Sequence, residues 1–292
     1  MSAAVATGDT ATPEETSILD DIDARPGSTA SILRTIIGLT LRRLGGWIST
    51  SDLVRLASDA GIEQARARTA IARVKQHGLL LASREGGSVG YRLNPAATAM
   101  LERGDRRIFT VRQMQPDDAW CLISFSLPEA RRDTRHQLRR RLQWIGCGVV
   151  SPALWICPAH LQDEVDEIFR ELGIRDAAVL FRTATPQVAG SLADAVATWW
   201  DLDTLRGEHE RFQYALTGLA AAEGAEVFSA YVRLIDSWRV LPYIDPGLPA
   251  ELLPADWPGQ HSFDEFRRLS VRFAQPAWEH VRATVSADDV SS

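Results

Sequence analysis

The apolar pattern between residues 31 and 93 limits what this chain can fold into more than any other feature. Ile32, Leu33, Ile36, Ile37, Leu41 and Leu44 recur at helical spacing and stop at Gly45-Gly46, which predicts a helix over 31–44. Trp47-Ile48 reads as a short strand. Ser49-Thr50-Ser51-Asp52 offers several N-cap candidates, with Asp52 three residues after Ser49, so a second helix is expected over 51–60, ended by Gly61. A third is expected over 63–77, ended by Gly78. Leu79-Leu80-Leu81 and Tyr91-Arg92-Leu93 then flank Gly86-Gly87, the pattern of a hairpin. Helix, strand, helix, turn, helix, hairpin is the order of a winged helix-turn-helix, expected over 28–107.

The third helix is two-faced. At 100° per residue, Ala67, Ala70, Ile71 and Val74 gather on the side to be buried. The opposite side centres on Ala65, Thr69, Ala72 and Gln76, with Arg66 and Arg73 along one edge and Arg68 and Lys75 along the other. Small residues in the middle let a helix sit deep in a DNA major groove, and cations at both edges reach the phosphates of both walls. Thr69 and Gln76 are then placed for base edges, and glutamine favours adenine by geometry. Arg84, beside the glycine turn, is the expected wing residue near a phosphate or the minor groove. The alternative is a basic helix face that meets only solvent.

Charge supports the first reading. The chain carries 32 basic and 38 acidic side chains, a net −6. Residues 31–107 nevertheless hold 13 basic and 6 acidic ones. A basic module in an acidic protein is the electrostatic footprint of a nucleic-acid-binding domain joined to a domain with another task. Residues 1–27 are polar and acidic and read as a disordered tail. They lack the basic start and apolar stretch of a secretory signal, and no run of about 18 apolar residues suggests a membrane span. The expectation is a cytoplasmic protein without membrane contact. Cys121, Cys147 and Cys157 are odd in number, widely spaced and set among apolar residues, which suits buried thiols better than disulfides or metal ligands.

The remainder divides in two. Trp120 to Phe125 reads as a strand, 129–144 as a helix turning Leu138, Leu142 and Trp144 toward a core, Val149-Val150 and Leu154-Trp155-Ile156 as short strands, 161–172 as a helix, and 179–182 as a last strand. That βαββαβ order is ferredoxin-like and is expected over 108–187. Its first helix is strongly basic, with Arg131, Arg132, Arg135, His136, Arg139, Arg140 and Arg141. It suits either phosphate contacts, to DNA or to a nucleotide-bearing ligand, or an exposed face pairing with acidic neighbours. Arg135 and Arg139 are the candidates for ligand contact. Residues 188–286 read as mainly helical, with helices over 192–205, 208–223, 227–239 and 263–274. Prolines at 242, 246, 249, 254 and 258 predict a rigid loop between the last two.

Catalytic signals are missing. Gly86-Gly87-Ser88-Val89-Gly90 matches the letters of a nucleophile elbow, but charged residues precede it and a strand follows, where an elbow needs an apolar strand and then a helix. The six histidines show no metal-ligand spacing. The expectation is a protein that is not an enzyme and needs no metal or cofactor.

Taken together the blocks resemble the phenylacetic-acid degradation repressor family, the PaaX-like regulators, over about residues 28–280. The resemblance rests on Arg68-Thr69-Ala70, Arg73 and Gly78-Leu79; on Trp120 to Phe125, Arg135, Leu138-Arg139, Leu142, Trp144, Gly146, Gly148 and Leu154-Trp155-Ile156-Cys157-Pro158; and above all on Asp245-Pro246-Gly247-Leu248-Pro249, Leu252-Leu253-Pro254 and Trp257-Pro258-Gly259. The chain departs from the family pattern at Leu79, where a tryptophan is usual, at Gly86-Gly87, where the wing usually carries arginine, and at Asp236, where a histidine is usual. The resemblance implies an α+β multidomain protein: a winged helix-turn-helix, a central ferredoxin-like (Cas2-like) domain and a mainly helical C-terminal domain. It implies a homodimeric repressor of a catabolic operon, bound to a double-stranded DNA operator and released by a coenzyme A thioester of an aromatic or related acid. The competing readings are a metal-dependent Cas2-like nuclease and a DNA-bound scaffold without an effector. The nuclease needs an aspartate at the end of the first central strand, where this chain has Ser124-Phe125-Ser126-Leu127.

Overall fold

The computed structural model describes residues 25–219, 222–223 and 226–286. Of the disordered tail expected over 1–27, residues 1–24 lie outside the described residues, as do those from 287 on, while residues 25–27 are placed and the Gly27 N–H donates to Asp236.

The first block contains α1 (Thr29–Thr40), β1 (Trp47–Ser49), α2 (Thr50–Asp59), α3 (Gln64–Gln76), β2 (Leu80–Glu85) and β3 (Ser88–Leu93). Ser28 caps α1 by accepting from the Ser31 N–H. Ser49 caps α2: its hydroxyl oxygen accepts from the Asp52 N–H at 3.0 Å and its proton goes to the Asp52 carboxylate at 2.7 Å. The first of these bonds satisfies one backbone N–H which the first helical turn leaves open, and the second fixes the capping hydroxyl. The three strands form an antiparallel sheet in the order β1-β3-β2. Gly86 and Gly87 both have positive φ, 55° and 84°, so a two-residue turn closes β2 onto β3 with the twist that such hairpins favour. Gly90 has a separate reason: a Cβ there would lie 2.2 Å from the Ile48 carbonyl oxygen and 2.7 Å from the Trp47 ring.

A helix not expected from the sequence follows, α4 (Thr98–Phe109). Glu102, Arg103, Gly104, Asp105, Arg106 and Arg107 hide its apolar spacing. Met100 is buried and Leu101 packs against the first core.

The central block is β4 (Trp120–Phe125), α5 (Arg132–Trp144), β5 (Gly148–Ser151), β6 (Leu154–Pro158), α6 (Gln162–Glu171) and β7 (Ala178–Thr183), with the sheet order β5-β6-β4-β7. This is the expected βαββαβ order, with the first and third strands at the centre. Alternation along β4 sends Cys121, Ile123 and Phe125 into a core with Leu138 and Leu142 of α5 and Val165, Ile168 and Phe169 of α6. Trp120 faces the other way and meets Val196, Trp200 and Leu248. Glu129–Arg131 forms a 3-10 turn ahead of α5, so the helix starts later than the pattern suggested.

The C-terminal block is helical but divided differently from the sequence reading. The helix expected over 192–205 is two, α7 (Leu192–Trp199) and α8 (Leu202–Leu216). The break has a cause. The Trp200 indole donates to the Gly146 carbonyl at 2.9 Å, the bare Cα of Gly148 makes room for its ring, and Asp201 starts a new helix by accepting from the Thr204 N–H. After α9 (Glu226–Trp238), the proline-rich stretch expected to be loop contains one helical turn, α10 (Leu241–Ile244). The final α11 (Gly259–Ser286) runs through Pro276, where the sequence suggested a stop. A proline inside a helix forfeits one hydrogen bond. Here Ala277 and Val281 beyond it are buried in the first core, and that packing carries the helix onward.

Phe228 and Val232 of α9 and Ala277 and Val281 of α11 share one core with Leu33, Ile36 and Ile37 of α1 and Leu53 of α2. The first and last blocks, distant in sequence, are packed as one apolar unit. Asp236 of α9 seals the join. Buried at 1% exposure, it accepts from the Gly27 N–H at 2.6 Å, the Ser31 hydroxyl, the Thr35 hydroxyl at 3.2 Å and Arg239 Nε at 3.3 Å.

Candidate nucleic-acid interface and an enclosed histidine

Packing orients α3. Ala67, Ala70, Ile71 and Val74 are buried against α1 and α2, which turns the opposite side outward. Arg66, Arg68, Thr69, Arg73, Lys75 and Gln76 are all exposed. Arg66 leans on Glu63 at 3.6 Å, and the Thr69 hydroxyl donates back to the Ala65 carbonyl at 3.1 Å. Among the described residues, no hydrogen bond or ion pair engages the side chains of Arg68, Arg73, Lys75 or Gln76. Gly78, at φ 77°, turns the chain into β2, and the Asn94 amide donates to the Gly78 carbonyl at 2.6 Å. This ties the end of α3 to the base of the hairpin. Arg84 is exposed on β2 opposite Val89. Arg92, which the sequence reading did not single out, is tied to Glu85. Leu79, at the first noted departure, is 4% exposed and belongs to the core.

The ligand candidates on α5 stand elsewhere. Arg135 donates to the Leu127 carbonyl at 2.8 Å and pairs with Glu129 at 3.2 Å, which fixes it over the start of its own helix. Arg139 is half-buried on the same helix. Neither is among the residues that line the cavity around His209.

One cavity in the C-terminal half was not foreseen. It measures about 90 Å³ and lies between α8, α9, α10 and residues 245–259, with Trp238, Leu241, Trp257 and Phe263 among its walls. His209 lines it and is 2% exposed. Its Nε2 lies 2.9 Å from Asp245 Oδ2, while Asp245 Oδ1 accepts from the Gly247 N–H at 2.8 Å. The Trp257 ring stands edge-on to the imidazole, and Gly259 leaves the room that ring needs: a Cβ would sit 2.7 Å from the indole nitrogen. His209 Nδ1 is buried and has no partner. Spacing among histidines could not reveal this site, because its second member is a carboxylate 36 residues away. The unusual Asp-Pro-Gly and Trp-Pro-Gly segments were the available signal.

A larger cleft shares Val111, Pro242 and Asp245 with the cavity and carries Arg106, Arg107, Arg112 and His160. Burial, then the charges of Arg112 and Arg107, lower the pKa of His160 to about 4.

The three cysteines come together: Cys121 and Cys157 face each other across β4 and β6, and Cys147 lies beside Cys157. All are buried free thiols. The hydrogen bond with Cys157 and burial push the Cys121 thiol up, away from the reactive thiolate. Among the described residues no group of three or more His, Cys, Asp or Glu is arranged to hold a metal ion, and no helix is long and apolar enough to cross a membrane.

Comparison with known proteins adds sequence and fold relatives to this geometry. Three family models match in chain order: "PaaX-like protein" over residues 28–97, "PaaX protein central Cas2-like domain" over 113–195 and "PaaX-like protein C-terminal domain" over 200–283. The transcriptional repressor PaaX of Escherichia coli (strain K12) is 28% identical over 272 residues, 89% of this chain and 84% of the relative. A solved structure of an uncharacterized protein from Mycobacterium tuberculosis shares the fold with a TM-score of 0.57 and 23% identity, over 87% of this chain and 99% of its own.

Proposed function

Since the chain belongs to the PaaX-like family of regulators, we propose that it is a transcriptional repressor whose first block is a winged helix-turn-helix with α3 as the recognition helix. It is a regulator and not an enzyme. The observation that carries the reading is the outward face of α3: four exposed cations flanking a strip of small and polar side chains, in a chain of net −6. Arg66, Arg68, Arg73 and Lys75 grip phosphates, Thr69 and Gln76 read base edges, and Arg84 on the hairpin touches a phosphate or the minor groove. The functional units are residues 28–107 for DNA, 108–187 for the central domain and 188–286 for control.

The repressor acts as a homodimer on an operator whose half-sites lie about 34 Å apart, one helical turn or a multiple of it. It controls a catabolic operon, and a coenzyme A thioester of an aromatic or related acid releases it. The shared core of α1, α2, α9 and α11, with Asp236 at its edge, supports a route for that release. A ligand that moves α9 moves the helices on which α3 rests, and so favours a dimer geometry that no longer fits the operator.

A gel shift with the promoter of its neighbouring operon tests the proposal. The expected result is a specific complex at physiological salt that a coenzyme A thioester dissolves. The absence of any specific complex, with and without candidate ligands, overturns it.

A further inference from the structure

We propose that the cavity around His209 binds a single aromatic ring that carries a hydrogen-bond donor, and that His209 Nδ1 reads that donor. In naming the ring as the head of the effector, this rests on the regulator reading above; the binding chemistry does not.

The argument begins with Asp245. A carboxylate only accepts hydrogen bonds, so the proton shared with His209 sits on Nε2. In its neutral form the ring then keeps its lone pair on Nδ1. That atom is buried with no partner, an arrangement that native proteins seldom leave unexplained. The Gly247 N–H holds the other oxygen of Asp245, so the imidazole is fixed in orientation as well as tautomer. Around it stand Trp238, Trp257 and Phe263, with Leu241 and Leu253. At about 90 Å³, the cavity holds several times the ~10–15 Å³ that a single water needs. It suits one ring with edge and face contacts. The complement of a lone pair in such walls is a phenolic O–H or an N–H on an aromatic group. An acceptor-only or purely apolar ring fills the space and leaves Nδ1 unsatisfied. The adjacent cleft with Arg106 and Arg112, which shares Val111, Pro242 and Asp245 with the cavity, is placed to receive the rest of an anionic conjugate.

The test uses two rings of the same shape, p-cresol and p-xylene, titrated into the full chain at pH 8 and followed by tryptophan fluorescence and thermal shift. One satisfied hydrogen bond predicts p-cresol binding about ten-fold tighter than p-xylene. His209→Phe keeps an aromatic ring and removes the acceptor; it should bring the two probes within about two-fold of each other. Leu253→Trp fills the cavity, leaves His209 and Asp245 in place, and should abolish binding of both; it keeps the proposal testable if His209→Phe does not fold. Equal affinities in the unaltered chain overturn the inference. So does a p-cresol preference that survives His209→Phe, or binding that Leu253→Trp leaves unchanged. The gel shift separates the two claims: a p-cresol preference in a chain that binds no promoter keeps the site and removes the regulator, and the reverse result removes only the site.

Discussion

In sequence, α3 and α5 are two of a kind: short helices crowded with arginine. In the folded molecule they differ in what their cations do. On α5, Arg135 is held by Glu129 and the Leu127 carbonyl, Arg141 is 2% exposed against Glu171 and Arg140 is engaged as well, so that among the described residues only Arg132 and Arg139 of this helix's arginines lack a side-chain hydrogen bond or ion pair. On α3, Arg68, Arg73 and Lys75 project from an exposed face without such partners. A cation already paired inside its own protein gains little by meeting a phosphate, because it must first give up a partner. A solvated one releases counterions from the DNA at no such cost. Pairing and placement, more than the count of cations, therefore separate a proposed DNA surface from a structural one.

The largest expected effect comes from the structural side. Arg141→Ala removes a guanidinium that is 2% exposed, together with its packing, and leaves the solvent-facing Glu171 to water, at a cost of about 2 kcal/mol in urea unfolding. Operator affinity of the folded fraction should stay within about two-fold of the unaltered chain. A destabilisation under about 1 kcal/mol would place Arg141 with the exposed pairs and weaken the contrast.

The opposite pattern is expected on α3. Arg73→Ala should leave unfolding within about 0.5 kcal/mol and lower operator affinity about ten-fold, with the salt slope of log K falling by about one. Arg68→Ala should behave alike. Gln76→Ala should instead relax preference at one base pair, by about 1–3 kcal/mol of discrimination. If Arg73→Ala destabilises the fold and leaves the salt slope unchanged, α3 is a structural face like α5.

Much of this organisation was legible beforehand, and the failures have physical reasons. Buried and exposed sides of α3 followed from a 3.6-residue period that one partner surface enforces, so Ala67, Ile71 and Val74 fell where expected. The βαββαβ order survived because alternation in β4 is imposed by two different covers, helices on one face and Trp200 with Leu248 on the other. Helix α4 was hidden because packing, not pattern, selects it. The stop expected before Pro276 failed because tertiary contacts of Ala277 and Val281 outweigh one lost hydrogen bond. The merged core of α9 and α11 with α1 and α2 was invisible, since apolar periodicity says which side of a helix is covered and never by what. Asp236 illustrates this. In sequence it is only a departure from the family pattern, and in the fold it holds Gly27, Ser31 and Thr35 across more than 200 residues of sequence.

A separate effect is expected from pH. His160, at the arginine-lined cleft, has its pKa lowered from 6.5 to about 4 by burial and by Arg112 and Arg107. The folded state thus binds its proton less readily than the unfolded chain. The stabilisation this represents is fully present above about pH 6.5 and is lost as pH falls toward about 4. His160→Gln should flatten the stability–pH curve in that window and leave it unchanged above pH 7. If the slope persists in the variant, burial and the cleft cations are not acting on this ring.

The smallest effect probes the comparison most directly. Arg135 has an exposed ion pair and one backbone bond, so Arg135→Ala should cost under about 1 kcal/mol, and Arg139→Ala about as little. The informative readout is the salt dependence of operator binding. If α5 is a structural face, both variants leave the slope unchanged, because no phosphate counterions were displaced by those side chains. A slope reduced by about one in either variant would mean that DNA reaches α5 after all. The bound duplex would then have to run past the central block, and the two arginine-rich helices would form a single surface despite their different pairing.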